Sequence, residues 1–449
     1  MNQLIVAKFG GTSVADFTAM QRCADIVIAN PMTKLVVVSA SAGVTNGLLS
    51  LAKGKLSLVA RELELGRIRQ IQFRILSMLD ASKSIEDQLI KMLTRIAELA
   101  ANDNLTTSDL LKDELLSFGE QMSALLFTQV LLQKGVKAQT VDVREVLKTD
   151  SRHGSAQPNI ALTKTLSQRV LLPQLNDFVV VTQGFLGSDE LGNTTTLGRG
   201  GSDYSAALLA EALDASALHI WTDVSGIFTT DPRLARNARP IPEISFDEAA
   251  EMATFGAKIL HPATVIPAVR AGTPVFVGSS RTPDQGGTWI NQETDEKPPF
   301  RALALRRDQI LLTLKNPAML HASGFLAEVF TVMAQHKVSV DLISTSEISV
   351  AMTIDNPTNS TTTILTDALL DALRAVGEVE LEDNLALVAV IGNNLQSTKG
   401  VSGKVLSAVH DYNLRMICQG ASPNNLCFLA QDSDAQDIIA SLHHALFES

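Results

Sequence analysis

Residues 6–13 read Val-Ala-Lys-Phe-Gly-Gly-Thr-Ser. An apolar run delivers Lys8 to the paired glycines Gly10 and Gly11, so one cation stands beside backbone that has no Cβ to obstruct a phosphate. No Gly-Lys-Ser/Thr follows at the required spacing, so this is not a Walker A loop. A tight turn with a solvated lysine carries the same signature. Residues 194–203 read Thr-Thr-Thr-Leu-Gly-Arg-Gly-Gly-Ser-Asp and are more specific. Glycines flank Arg199, and Ser202 is placed to cap a helix expected over 204–213. The N–H groups of a helix start attract anions. The planar fork of Arg199 suits a carboxylate. Asp203, at the same helix start, can orient a reacting group or a cation.

Four further segments carry polar chemistry. Residues 39–46 follow an apolar strand and offer the hydroxyls of Ser39, Ser41 and Thr45 at a strand end, where open α/β sheets bind ligands. A small-residue turn reads the same way. Glu120 falls among Leu115, Leu116, Met122, Leu125 and Leu126. Facing inward, it needs a partner such as an ammonium group; facing outward, it is merely solvated. Residues 221–233 supply Thr222, Asp223, Phe228, Asp231 and Arg233 after another strand, and Lys258 follows Gly256 at a helix end. Lys258 is a second candidate for phosphate contact or a lysine complementing the helix dipole.

These segments must be held by alternating strands and helices. Strands are expected over 4–9, 35–39, 178–182, 217–222 and 274–278. Asp16 is placed to cap a helix, and Ser245 with Glu248 forms a capping box. Residues 56–101 are a leucine-periodic helical excursion, and 110–134 is another long helix. The alternation predicts an α/β sandwich with a largely parallel sheet. Residues 291–300 are polar and proline-bearing and mark a domain edge. Beyond them Gly324 and Gly400 each open an amphipathic helix followed by a short strand, which suggests two small βαββαβ modules.

With 449 residues the chain suggests two to four domains. A net charge of −11 argues against nucleic-acid or anionic-membrane partners. Cys23, Cys418 and Cys427 are too few and too scattered for a disulfide framework or a zinc site. No signal peptide is visible, and no segment approaches a membrane-spanning length; a cytoplasmic protein is the expectation.

The segments at 8–13, 194–203, 221–233 and 255–262 together resemble, in order and spacing, aspartate kinases of the amino-acid-kinase family. The C-terminal repeat looks like the paired ACT modules that regulate those enzymes. Met319-Leu320-His321 before Gly324, and residues 339–347, are similar to the lysine-sensitive members. The resemblance implies an amino-acid-kinase-type αβα sandwich over 1–295, a first ACT-like module over 296–383 and a second over 384–449. It implies Mg²⁺-dependent transfer from ATP to the L-aspartate β-carboxylate, giving 4-phospho-L-aspartate. Thr45, Glu120, Arg199, Ser202 and Asp203 would hold aspartate, Arg199 by its α-carboxylate and Glu120 by its ammonium group. Lys8, Asp203 and Lys258 would serve catalysis. Lys8, Gly10, Gly11, Thr222, Asp223, Phe228, Arg233 and Lys258 would line the ATP site; the family often has tyrosine at the position of Phe228. L-Lysine would inhibit from Met319, Phe325, Leu326, Ser339, Val340, Asp341, Thr345, Ser346 and Glu347. A homodimer through the ACT-like modules, or a tetramer, is expected. The alternatives are a kinase of the same family acting on another acid or a nucleotide, and an amino-acid sensor without activity.

Overall fold

The computed structural model describes residues 3–256, 262–320, 323–355 and 364–448. The chain divides into two compact units. The first comprises Met1–Ile227, Pro240–Ala249 and Lys258–Thr294. It runs β1 (Ile5–Phe9), α1 (Phe17–Ala29), β2 (Thr33–Val38), α2 (Val44–Ala52), α3 (Leu58–Leu76), α4 (Lys83–Ala100), α5 (Asp109–Gln133), β3 (Ala138–Thr140), α6 (Ile160–Leu166), β4 (Val179–Gln183), β5 (Leu186–Ser188), β6 (Thr194–Thr196), α7 (Gly201–Ala212), β7 (Ala217–Thr222), β8 (Glu243–Ser245), α8 (Phe246–Thr254), α9 (Pro262–Ala271), β9 (Val275–Ser279) and β10 (Gly287–Asn291). Helix α8 begins in this unit and ends in the second.

Eight strands form one sheet in the order β3-β4-β2-β1-β7-β9-β10-β8. Neighbours are parallel except β9 and β10. Leu35 to Val38 are wholly buried, as expected of a strand covered on both faces. On one face Phe9 meets Phe127 of α5, ring centroids 5.7 Å apart. On the other, α7 lies against β1, β2 and β7. The result is the expected three-layer αβα arrangement. Local chemistry sets the helix starts. Asp16 accepts from the Ala19 N–H, and Ser245 and Glu248 cap each other reciprocally. The expected helical excursion is α3 and α4. Helix α5 has 25 residues and is long and apolar enough to cross a membrane by length and composition, contrary to the sequence expectation. Most of it is buried in the unit, so its apolar side chains form core.

The second unit gathers Phe228–Arg239, Ala250–Ala257 and Asp295–Ser449. It runs β11 (Ala302–Lys315), α10 (Phe325–Gln335), β12 (Ile343–Thr345), β13 (Ser349–Asp355), α11 (Asp367–Arg374), β14 (Glu378–Ile391), α12 (Val401–Ala408), β15 (Ile417–Gln419), β16 (Asn425–Gln431) and α13 (Ala435–His443). One six-stranded sheet, β12-β13-β11-β14-β16-β15, carries both ACT-like modules. The two are nested. Residues 309–315 of β11 pair with β13 and with 378–385 of β14, over a core of Leu312, Phe325, Val329 and Leu369. Residues 302–306 pair with 387–391, over Leu303, Val390, Val405 and Ile438. The second module thus takes one strand from upstream of the first.

Candidate active site

Parallel pairing brings the C-terminal ends of β1, β2, β4, β7 and β9 to one edge of the first sheet, where ligands bind in such folds. Lys8 is the penultimate residue of β1 and only 7 % exposed. Strand alternation turns Ala7 and Phe9 to the α5 side and leaves Lys8 for α7. There its Nζ lies 2.5 Å from Asp203 Oδ1. The contact is an ion pair.

The glycine turn is partly committed to the fold. The Gly10 N–H donates to the Trp221 carbonyl at 3.1 Å. Gly11 accepts from the Ala42 N–H. A Cβ on Gly11 would stand 2.8 Å from the Ala40 carbonyl oxygen, so only glycine fits this approach. Ser13 Oγ and Ser280 Oγ, 2.6 Å apart, tie the turn to the end of β9.

Glu120 faces inward, 6 % exposed, and accepts the Ala40 N–H at 3.0 Å. Burial pushes its carboxyl up to about 8, while the Ala40 N–H and the Lys8 charge pull it down. Ser41 is fixed in the same loop by Ser123 of α5, N–H to Oγ at 2.9 Å. Thr45 is exposed in the first turn of α2, whose N-cap is Gly43 at φ 86°.

Ser202 is not the cap of α7. The N-cap is Gly200, at φ 70°, and Ser202 and Asp203 stand in the first turn. A glycine is needed at the cap because the chain turns through the left-handed region there. Ser202 packs on Gly184 at the end of β4, where a Cβ would meet its Cβ at 2.6 Å. Arg199 is exposed beside Gly198 and Gly200, and no carboxylate among the described residues pairs with it. Thr222 ends β7 and Asp223 follows it, exposed and accepting from Thr222 Oγ1 at 3.2 Å. Phe228 and Arg233 belong to the second unit, and Arg233 pairs with Asp231 at 2.6 Å. Lys258 lies outside the described residues.

One carboxylate escaped the sequence reading. Asp113, wholly buried on α5, accepts from Thr196 Oγ1 at 2.6 Å and from the N–H groups of Thr196 and Gly154, and meets His153 Nδ1 at 3.0 Å. It fixes the strand that leads to Gly198-Arg199-Gly200. Its signal was present: it stands seven residues before Glu120, on the same helical face.

The candidate lysine residues belong to the second unit. Phe325 is buried in the first module's core, and Met319 and Val340 pack against it. Leu326, Ser339, Thr345, Ser346 and Glu347 are exposed. Asp341 already has a cation: Arg306 of β11 lies 3.0 Å from its Oδ2 and also pairs with Asp355. Among the described residues no group of three His, Cys, Asp or Glu side chains is arranged to hold a metal ion.

Comparison with known proteins agrees with this architecture. The amino acid kinase family matches residues 3–279, and the ACT domain matches 313–361 and 388–446. Lysine-sensitive aspartokinase 3 of Escherichia coli (strain K12) is 54% identical over 450 residues, covering 100% of both chains. The crystal structure of E. coli aspartokinase III with aspartate and ADP (R-state) superposes with a TM-score of 0.91, covering 99% of this chain and 100% of that one, at 54% identity. The structure of the same protein with lysine and aspartate (T-state) gives 0.85 with the same identity and coverage.

Proposed function

The chain belongs to the amino-acid kinase family, in its aspartate kinase branch, and from that premise we infer that it transfers the γ-phosphoryl group of ATP to the β-carboxylate of L-aspartate. The product is 4-phospho-L-aspartate, the first intermediate toward lysine, threonine and methionine. L-Lysine inhibits the reaction through the first ACT-like module. A cytoplasmic enzyme fits a reaction that consumes ATP.

The observation that carries this reading is the Lys8–Asp203 pair at the end of β1, its lysine buried, with the buried Glu120 held beside it at the strand ends by the Ala40 N–H. A carboxylate substrate is already a nucleophile at neutral pH and needs no general base. The protein must instead hold two anions in line and offset charge as the phosphoryl group moves. Lys8 is the fixed cation for that task, and Asp203 holds it at the strand end. A shielded cation stabilises transition-state charge far better than a solvated one. Arg199, unpaired by any described carboxylate, takes the aspartate α-carboxylate in a two-point contact. Glu120 takes the α-ammonium group, directly or through water, and Thr45 and Ser202 add hydroxyls. Gly11, Thr222 and Asp223 border the nucleotide. Mg²⁺ bound with the ATP phosphates would neutralise part of their charge, and Asp203, in the first turn of α7, would be its protein contact.

The second unit suits assembly into a homodimer, or a tetramer built from such dimers. Its sheet ends in β12 and β15, each with an exposed isoleucine, Ile343 and Ile417. Light scattering at micromolar protein should find no monomer; a monomer with and without lysine removes this assembly.

The activity is tested by ADP release with L-aspartate, L-glutamate and acetylglutamate as acceptors. Aspartate should be used far better than the other two. Lys8→Ala should lower turnover by about 10²-fold or more while changing the aspartate KM little. Equal use of the three acids contradicts the substrate, and near-normal turnover of the variant removes Lys8 from the reaction.

A further inference from the structure

Cys418 and Cys427 are nine residues apart and face each other across the antiparallel pair β15–β16. Directly opposed residues of such a pair project to one face, with Cα atoms about 4.5–5.5 Å apart. A disulfide spans Cα separations of about 4.4–6.8 Å, so this pair needs no backbone rearrangement to be joined. Cys427 Sγ lies 3.7 Å from the Cys418 carbonyl oxygen, so the inner sulfur sits against the residue that carries the outer thiol. Their exposures differ. Cys418 is half-buried on β15, the outermost strand, whereas Cys427 is 1 % exposed on the strand inside it.

The structure assigns the pair as a peroxide-responsive dithiol, in which Cys418 reacts first and Cys427 resolves the product into a cross-strand disulfide. The thiolate attacks one oxygen of hydrogen peroxide. The O–O bond breaks, the sulfur is oxidised by two electrons to Cys418–SOH, and hydroxide leaves as water after taking a proton. Cys427 sulfur then attacks Cys418 sulfur. The S–O bond breaks as S–S forms, and the hydroxyl leaves as water with the Cys427 proton. Two thiols and one peroxide give one disulfide and two waters.

The protonation of the two groups agrees with these roles. The Cys427 thiol beside it lowers the Cys418 thiol from its ordinary value, which favours the thiolate there. Cys427 is pushed up by the shared hydrogen bond, by burial and by charge on Cys418 and Glu251. Cys23, in the first unit, is buried, donates to the Ser13 carbonyl at 3.0 Å and is pushed up by burial, so it serves as an internal control.

The test uses the full chain, reduced, then treated with a few equivalents of hydrogen peroxide and alkylated with iodoacetamide under denaturing conditions. The expected result is loss of two hydrogens, one alkylated thiol instead of three, and a linked peptide pair containing Cys418 and Cys427. Dithiothreitol should restore all three thiols. The Cys427→Ser chain should instead stop at Cys418 and give a dimedone adduct there. Three alkylatable thiols in the treated wild-type chain overturn the assignment. So does a lasting dimedone adduct on wild-type Cys418 without the linked peptide, or a disulfide only between two copies of the chain.

Discussion

Glu120 shows what burial does to one residue. Its carboxyl, raised to about 8 from an ordinary 4.5, is largely protonated at pH 7 in the absence of ligand. An incoming ammonium group favours the charged form. Aspartate binding at pH 7 should therefore release a proton, seen by calorimetry as an enthalpy that depends on the buffer's ionisation heat. Glu120→Gln should abolish that dependence. Stability follows the same linkage. The folded carboxyl holds its proton to higher pH than the unfolded one, so its contribution is fully present below pH 4.5 and is lost as pH rises toward 8. The melting temperature of Glu120→Gln should gain on that of the wild type through this window and level off above it. A constant difference from pH 4.5 to 8.5 contradicts the raised value. Glu120 was legible in sequence because a lone carboxylate stood among leucines. Asp113 sent the same signal from a helix's first turns, where acidic residues are ordinary. The loss of the Gly10 N–H to Trp221 was not legible, because it depends on β1 and β7 being neighbours across more than two hundred residues.

At the scale of elements, helix α5 and the loop after β2 are pressed together. A Cβ on Gly119 would stand 2.8 Å from the Ala40 Cβ and 3.3 Å from Leu48 Cδ1. Alanine favours a helix over glycine by about 1 kcal/mol, and overpacking costs about 1–3 kcal/mol. The clash lies next to the Glu120–Ala40 bond, so Gly119→Ala should lower the melting temperature and raise the aspartate KM severalfold, with the ATP KM little changed. A more stable variant with an unaltered KM contradicts the tight packing. Strand and helix identities were largely readable, since the parallel core strands are continuous apolar runs and the caps are local. The nesting of the two modules was not. Residues 302–306 belong to the second module only through pairing with 387–391, and nothing in a run of five residues names a partner so distant.

In the whole molecule one chain carries a phosphoryl-transfer unit and a regulatory unit, and an inhibitor acts only if it favours one global state over another. Arg306 holds the Asp341 carboxylate that we assign to lysine recognition. Lysine must share or displace that guanidinium. Arg306→Ala should therefore lower the lysine concentration for half inhibition severalfold, and Asp341→Ala should raise it, both read by titrating activity with lysine. Identical titrations for wild type and both variants remove this pair from recognition. Both effects bear on one reaction, the phosphorylation of L-aspartate. It is tested most directly by running the enzyme with ATP, Mg²⁺ and L-aspartate in hydroxylamine, which traps an acyl phosphate, and identifying the adduct by mass spectrometry. Aspartate β-hydroxamate should form in step with ADP, and less of both as lysine is added. ADP released without hydroxamate, or a hydroxamate on the α-carboxyl, would contradict it.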